Sequence, residues 1–285
     1  GSVMSLDDLA NHSVDWIDTL SVPYAGAVVH ELPPNGQGIA TLAGLTMLEA
    51  LGVGDHPVDS VDTVHPVLEA MKLALADLNQ HVTDNAHMRV ASEHLLDPDY
   101  LKGRAGLITD QAADPLHGSP KAGGTVYLCA ADASGMMISY IQSNYMGFGS
   151  GVVPEGTGVS LQNRGNGFSL RPGSQNLVGP RKRPFQTIIP GFLMKDGKPE
   201  MAFGVMGGPM QAQGHMQMVL RTQLWGQDVQ SAADAPRWRI TQGLGVACEA
   251  AMDPALIAAL RAMGHEISLE TPDVSFGFGG AQLIR

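Results

Sequence analysis

Two glycines, a threonine and an apolar run constrain this chain more than any other feature: Gly123-Gly124-Thr125-Val126-Tyr127-Leu128-Cys129-Ala130-Ala131. The run reads as a strand. Asp132-Ala133-Ser134-Gly135 supplies a turn, and Met136 to Ser143 reads as a second strand, so the segment predicts a β-hairpin opening at Thr125. The chemistry open to such a threonine is specific. Cleavage of the Gly124–Thr125 bond would free an α-amine beside the hydroxyl. An amine titrating at roughly pH 7.7–8.0 can take the hydroxyl proton at working pH. The same residues also make an ordinary hairpin, and taken alone they leave both readings open.

The wider pattern adds to this. GGTVYLCAADASG, YMGFGSGVVPEGTGVSLQNRGNGFS, KRPFQTIIP and FGVMGGPM follow one another in the order seen in the small subunit of the γ-glutamyltransferase family, and together they resemble it. Upstream, ELPPNGQGIATLAGLTMLEAL resembles a segment near the end of that family's large subunit. The likeness is to a divergent branch without a lid, because the segment from Phe168 to Arg183 is short. It implies an α+β fold, the four-layer αββα sandwich of the N-terminal nucleophile hydrolases. It also implies two fragments, 1–124 from the end of the large subunit and 125–285 from the small one, sharing a single domain. Relatives of about twice this length imply further chain at both ends, including front strands and an arginine for the substrate carboxylate.

Composition narrows the partners. Apolar residues make up 44% of the chain and charged residues 16%, as in an ordinary globular protein, and 35 glycines suit a loop-rich one. A formal charge of −11 disfavours nucleic acid, and Arg181-Lys182-Arg183 forms the main basic cluster. No apolar stretch reaches membrane-spanning length, so no membrane partner is expected. No signal peptide is visible, which says little in a sequence that does not begin with Met; the location stays open, with a cytoplasmic one favoured over a periplasmic or secreted one. The two cysteines, Cys129 and Cys248, read as buried small residues rather than a disulfide. The ten histidines show no zinc-ligand spacing, and GFGSG opens no dinucleotide-binding unit, so neither a metal nor a cofactor is expected. The remaining partners are a small amide substrate, γ-glutamyl or related, the chain's own second fragment, and a second copy in a homodimer.

Periodicity predicts helices over Gly38–Leu51, His65–Gln80, Leu101–Ile108, Met210–Gln223 and Pro254–Met263, with Pro66 in a first turn. Strands are predicted at Val28–Glu31, Phe185–Phe192, Met201–Val205 and Glu266–Leu269.

The resemblance assigns roles residue by residue. Thr125 stands at the nucleophile and Gly124–Thr125 at the scissile bond. Ser143 replaces a threonine that orients the nucleophile's amine. Gly207-Gly208, between a strand and a helix, would offer oxyanion donors from the backbone. In the substrate pocket, Gln186-Thr187 replace two serines and Tyr145 an asparagine. Gly167 stands where an acid normally pairs with the substrate ammonium, so recognition of an amino-acid head is in question. Arg164 and Arg183 offer positive charge to an acidic substrate, with a surface residue or structural ion pair as the competing reading. Hydrolysis is favoured over transfer because an open site admits water. Two alternatives stay open: an acylase for a non-glutamyl side chain, and a binding relative without turnover.

Overall fold

The computed structural model describes residues 5–115, 124–271 and 277–285. The sequence marks Lys121-Ala122-Gly123-Gly124 as a flexible approach to Thr125; of these, residues 121–123 lie outside the described residues and Gly124 opens a strand. The strands in chain order are β1 (Leu20–Tyr24), β2 (Ala27–Glu31), β3 (Gly124–Ala131), β4 (Met137–Tyr145), β5 (Gly191–Lys195), β6 (Lys198–Met206), β7 (Trp238–Ile240), β8 (Gly245–Glu249), β9 (Glu266–Glu270) and β10 (Gly280–Ile284). The helices are α1 (Leu6–Ala10), α2 (Gly38–Leu51), α3 (Val61–His81), α4 (Ser92–Leu95), α5 (Pro98–Ala105), α6 (Met210–Val219), α7 (Val229–Asp234) and α8 (Pro254–Ala262).

An antiparallel sheet runs in the order β1-β2-β5-β6-β10, and its two faces carry different partners. On β6, Gly204 faces the hairpin β3-β4. A Cβ there would lie 2.4 Å from the Tyr127 ring, so only glycine lets the two sheets approach this closely. The next residue, Val205, points the other way and meets Gly214 of α6. Gly44 of α2 in turn faces Met216 of α6 and Met71 of α3. The layers among the described residues are thus helices, five-stranded sheet and hairpin, an α+β order that supplies three of the four layers of an αββα sandwich. The hairpin's outer face is apolar and exposed, with Val126 at 58% and Ile138 at 50%. The sheet draws β1 and β2 from before Thr125 and β5, β6 and β10 from after it, so both halves of the chain share one core.

Several boundaries differ from the sequence expectations. Helix α3 starts at Val61 rather than His65 and carries Pro66 inside it. Proline forfeits one helical hydrogen bond there, and the buried Val64, Val67 and Leu68 hold the turn against the core. Helix α5 begins at Pro98 because the Asp97 carboxylate accepts the Tyr100 N–H at 2.9 Å. The strand expected over Phe185–Phe192 begins only at Gly191. Upstream of it the backbone is used elsewhere: Gln186 N–H donates to the Asn35 carbonyl at 2.8 Å, Ile189 N–H to Gln211 at 3.2 Å, and Pro190 has no N–H. Helix α6 ends at Val219 and passes into a π-turn over Leu220–Leu224.

A buried polar cluster ties the chain ahead of the hairpin to the C-terminal half. Lys72, fully buried, donates to Glu69 at 2.8 Å and to the Ala113 carbonyl at 3.0 Å, while Glu69 accepts the Ala113 N–H at 3.0 Å. His65 meets His265 at 2.8 Å and the Thr109 carbonyl at 2.8 Å. Removing the cation strands the Glu69 carboxylate, so Lys72→Met should lower the unfolding free energy by about 3–5 kcal/mol. Denaturant unfolding measures this directly, and a loss under about 1 kcal/mol would show the pair to be dispensable.

Burial, then the charges of Lys72 and His65, push His265 down to about 3. An unfolded imidazole takes a proton near 6.5. Between those values the unfolded chain binds a proton that the folded one refuses, so stability should fall as pH drops through that window. The slope should be shallower in His265→Asn. Parallel slopes for parent and variant, read from urea midpoints between pH 7 and 4, would rule His265 out as its source.

Candidate active site

Thr125 sits at a break in the hairpin register: Gly124 opposes Tyr145 and Val126 opposes Gln142, with a bulge between them. A bulge leaves its residue outside the ladder and re-aims its side chain. The Thr125 hydroxyl donates to Ser143 Oγ at 3.2 Å, and the same oxygen accepts the Tyr145 N–H at 2.9 Å. The nucleophile candidate and the serine eighteen residues on are therefore brought together as the sequence predicts.

Tyr145 takes a φ of +76°, a left-handed conformation rare outside glycine, and it ends β4. Its ring lies 4.1 Å beneath the Arg164 guanidinium. Arg164 is only 4% exposed. Its Nε donates to the Phe185 carbonyl at 2.9 Å and its Nη1 to Thr187 Oγ1 at 3.2 Å. Burial lowers it to about 10, so it stays charged at neutral pH. Neither reading of Arg164 as a surface residue or as an ion pair survives, since no described carboxylate lies within 4.0 Å of it. Arg183 does match them: it pairs at 2.6 Å with Asp15, both half-exposed.

Gln37 is the connection the sequence did not reveal. Buried at the start of α2, its side-chain amide donates to the Thr187 carbonyl at 2.6 Å and to the Gly208 carbonyl at 2.8 Å. It thereby joins the Arg164–Thr187 wall to the Gly207-Gly208 turn. Gln37 looks in the sequence like a turn residue, and only its place in the Pro-Pro-Asn-Gly-Gln motif hinted at a special role. Gln186 turns its side-chain oxygen back on the Thr187 N–H at 3.0 Å, so it shapes the strand approach.

Gly207 and Gly208 adopt φ of +131° and +60°. Their carbonyls accept from Met210 at 3.2 Å and Gln211 at 3.1 Å, which starts α6. Among the described residues neither glycine's own N–H is used in a hydrogen bond. Two free N–H groups at a helix start form an anion-binding corner. Gly167 lies against Arg164: a Cβ there would be 3.5 Å from the Arg164 Nε and 3.2 Å from the Phe185 carbonyl oxygen.

The cluster of His65, Glu69 and His265 brings ligand-capable atoms within 4.8 Å of one another, a grouping that no sequence spacing revealed. Lys72 already supplies its cation at the Glu69 oxygen, so the cluster fits a structural role.

A family model described as gamma-glutamyltranspeptidase matches residues 1–285. The chain belongs to the gamma-glutamyltranspeptidase family. Among its relatives, the glutathione hydrolase-like YwrD proenzyme of Bacillus subtilis strain 168 is 37% identical over 238 residues, covering 84% of this chain and 45% of the relative. The oxamate amidohydrolase proenzyme of Klebsiella pneumoniae is 36% identical over 290 residues, covering 100% of this chain and 54% of the relative. Cephalosporin acylase from Bacillus halodurans superposes with a TM-score of 0.91 at 44% identity, over 98% of this chain and 51% of that one. The chain thus spans about half the length of the relatives it matches. The N-terminal nucleophile hydrolase fold implied by the resemblance is the fold these gamma-glutamyltranspeptidase-family neighbours share.

Proposed function

We propose that this chain holds the active site of a γ-glutamyltransferase-like amidohydrolase that cleaves itself before Thr125 and works through a threonyl acyl-enzyme. The observation that carries the reading is the position of Thr125: in a hairpin bulge, with its hydroxyl on Ser143 Oγ at 3.2 Å. Contacts run on from Ser143 through Tyr145, Arg164, Thr187 and Gln37 to Gly208. Proenzyme relatives support self-cleavage. The fragments 1–124 and 125–285 would stay together, because strands of both build one sheet.

The chemistry follows from the groups present. Before cleavage the Thr125 nitrogen is an amide and cannot act as a base. Its hydroxyl attacks the Gly124 carbonyl, the acyl group shifts from nitrogen to oxygen, and water hydrolyses the resulting ester. The freed α-amine then takes the hydroxyl proton as Thr125 attacks a substrate amide. The tetrahedral oxyanion is met by the N–H groups of Gly207 and Gly208. The amine passes its proton to the departing nitrogen, and water resolves the acyl-enzyme.

An acylase acting on a non-glutamyl side chain is the second reading, favoured by the missing acid at Gly167 and by the likeness to an acylase. Release of free amine from a panel of γ-glutamyl and other acyl anilides by the processed protein tests both readings. Turnover of none of them would argue for a binding relative instead.

A further inference from the structure

The nucleophile, the glycine turn and the Arg164–Thr187 wall all lie in 125–285, yet the side chain that joins the turn to the wall comes from 1–124. Gln37, buried at the start of α2, gives both side-chain amide protons to carbonyl oxygens, Thr187 at 2.6 Å and Gly208 at 2.8 Å. Two acceptors fix which edge of the amide faces them, because only its nitrogen donates. The Gly208 carbonyl also accepts the Gln211 N–H at 3.1 Å, so both of its lone pairs are engaged. The turn needs such a hold. Gly207 and Gly208 are successive glycines at positive φ, and glycine restrains its own backbone least. Donors aimed at a developing charge work only when fixed beforehand.

The start of α2 is fixed in turn by a second contact across the same seam. Glu31 and His215, both fully enclosed, meet at 2.6 Å and join the end of β2 to α6. A Cβ on Gly38 would lie 2.7 Å from the Glu31 Cβ, so glycine there lets α2 settle directly onto this pair. One turn further along α2, Thr41 donates to the Ala212 carbonyl at 3.1 Å. Residues 37 and 41 thus meet 208 and 212 in step, four residues apart on each side.

We infer that Gln37 is a positioning residue for catalysis: one fragment of the cleaved enzyme fixes the oxyanion turn of the other and couples it to the Thr187 wall. This rests on the oxyanion reading of Gly207-Gly208. Both amide protons are committed to the protein, so Gln37 acts through the turn and not on the substrate.

Gln37→Met keeps the length of the side chain and removes the donors. In the processed protein it should lower kcat by about ten- to a hundredfold, with KM changed by less than about twofold. Thr41→Val cuts the same seam one turn away, with a side chain of the same shape, and should keep the parental kcat. Gln37→Met combined with Gly207→Ala should be about as slow as Gly207→Ala alone, since both changes act on one turn. Equal losses in Gln37→Met and Thr41→Val would make the seam merely structural. Losses that multiply in the double variant would separate Gln37 from the turn, and either result overturns the proposal.

A slow Gly207→Ala beside a parental Gln37→Met sinks the positioning role and leaves the oxyanion reading standing. A parental Gly207→Ala sinks the oxyanion reading instead. Amide hydrogen exchange, which needs no turnover, then decides whether Gln37 holds the turn. Exchange over residues 206–211 should quicken about tenfold in Gln37→Met and stay parental over 126–142. Unchanged exchange over 206–211 would overturn the hold itself.

Discussion

Thr125→Ala is expected to accumulate as one uncut chain with no amide hydrolysis above background. The substitution removes the hydroxyl that the bulge presents to Ser143. Both steps assigned to Thr125 then fail together, because the same oxygen attacks the chain and the substrate. Thr125→Ser keeps a hydroxyl and should still be cut, more slowly where the methyl group helped fix the rotamer. Gel electrophoresis and an anilide assay read both effects. Cleavage at the same bond in Thr125→Ala would remove Thr125 as its own processing nucleophile.

Gly207→Ala should cost about 10²–10³-fold in turnover, the usual penalty for one oxyanion donor. At φ +131° an L-residue is strained, and its Cβ would stand 3.1 Å from the Gly279 Cα. The turn must rotate to relieve this, and the N–H swings off its target. Because the oxyanion exists only after attack, kcat should fall while KM changes little. A processed variant with parental kcat would reduce the Gly207-Gly208 turn to a plain connection into α6.

The parts of this fold that were legible in sequence are those fixed by local chemistry. Helix α2 was predicted over its full observed length, since its apolar spacing is regular and Gly52, at φ +64°, closes it. The hairpin was legible because Asp132 to Gly135 make a turn, with the Asp132 carboxylate accepting from Ser134 at 2.8 Å. Strand β1 was missed. It contains Pro23, which argues against a strand, and tolerates it because β1 is the sheet's edge. Strand β7 has three residues, too few for any period to show.

The site divides in the same way. Thr125, Ser143 and the glycine pair come from the motifs that carry the family resemblance. The sequence names Arg164, and beside it Arg183, as charge for an acidic substrate, and the tertiary structure separates the two. Arg183 reaches solvent and Asp15, whereas Arg164 is drawn under Phe185 and over Tyr145. Gln37 and the His65–His265 pair join residues 150 or more apart in sequence, where no local pattern carries information.

Denaturing mass spectrometry of the active protein, with its full natural sequence, addresses the central claim most directly. The account predicts two polypeptides, one of which begins at Thr125, whose masses sum to the intact chain plus one water. Brief exposure to a good amide substrate followed by an acid quench should add one acyl group to the Thr125 polypeptide alone. A single intact chain that hydrolyses amides at full rate, or an acyl group found elsewhere, would contradict it.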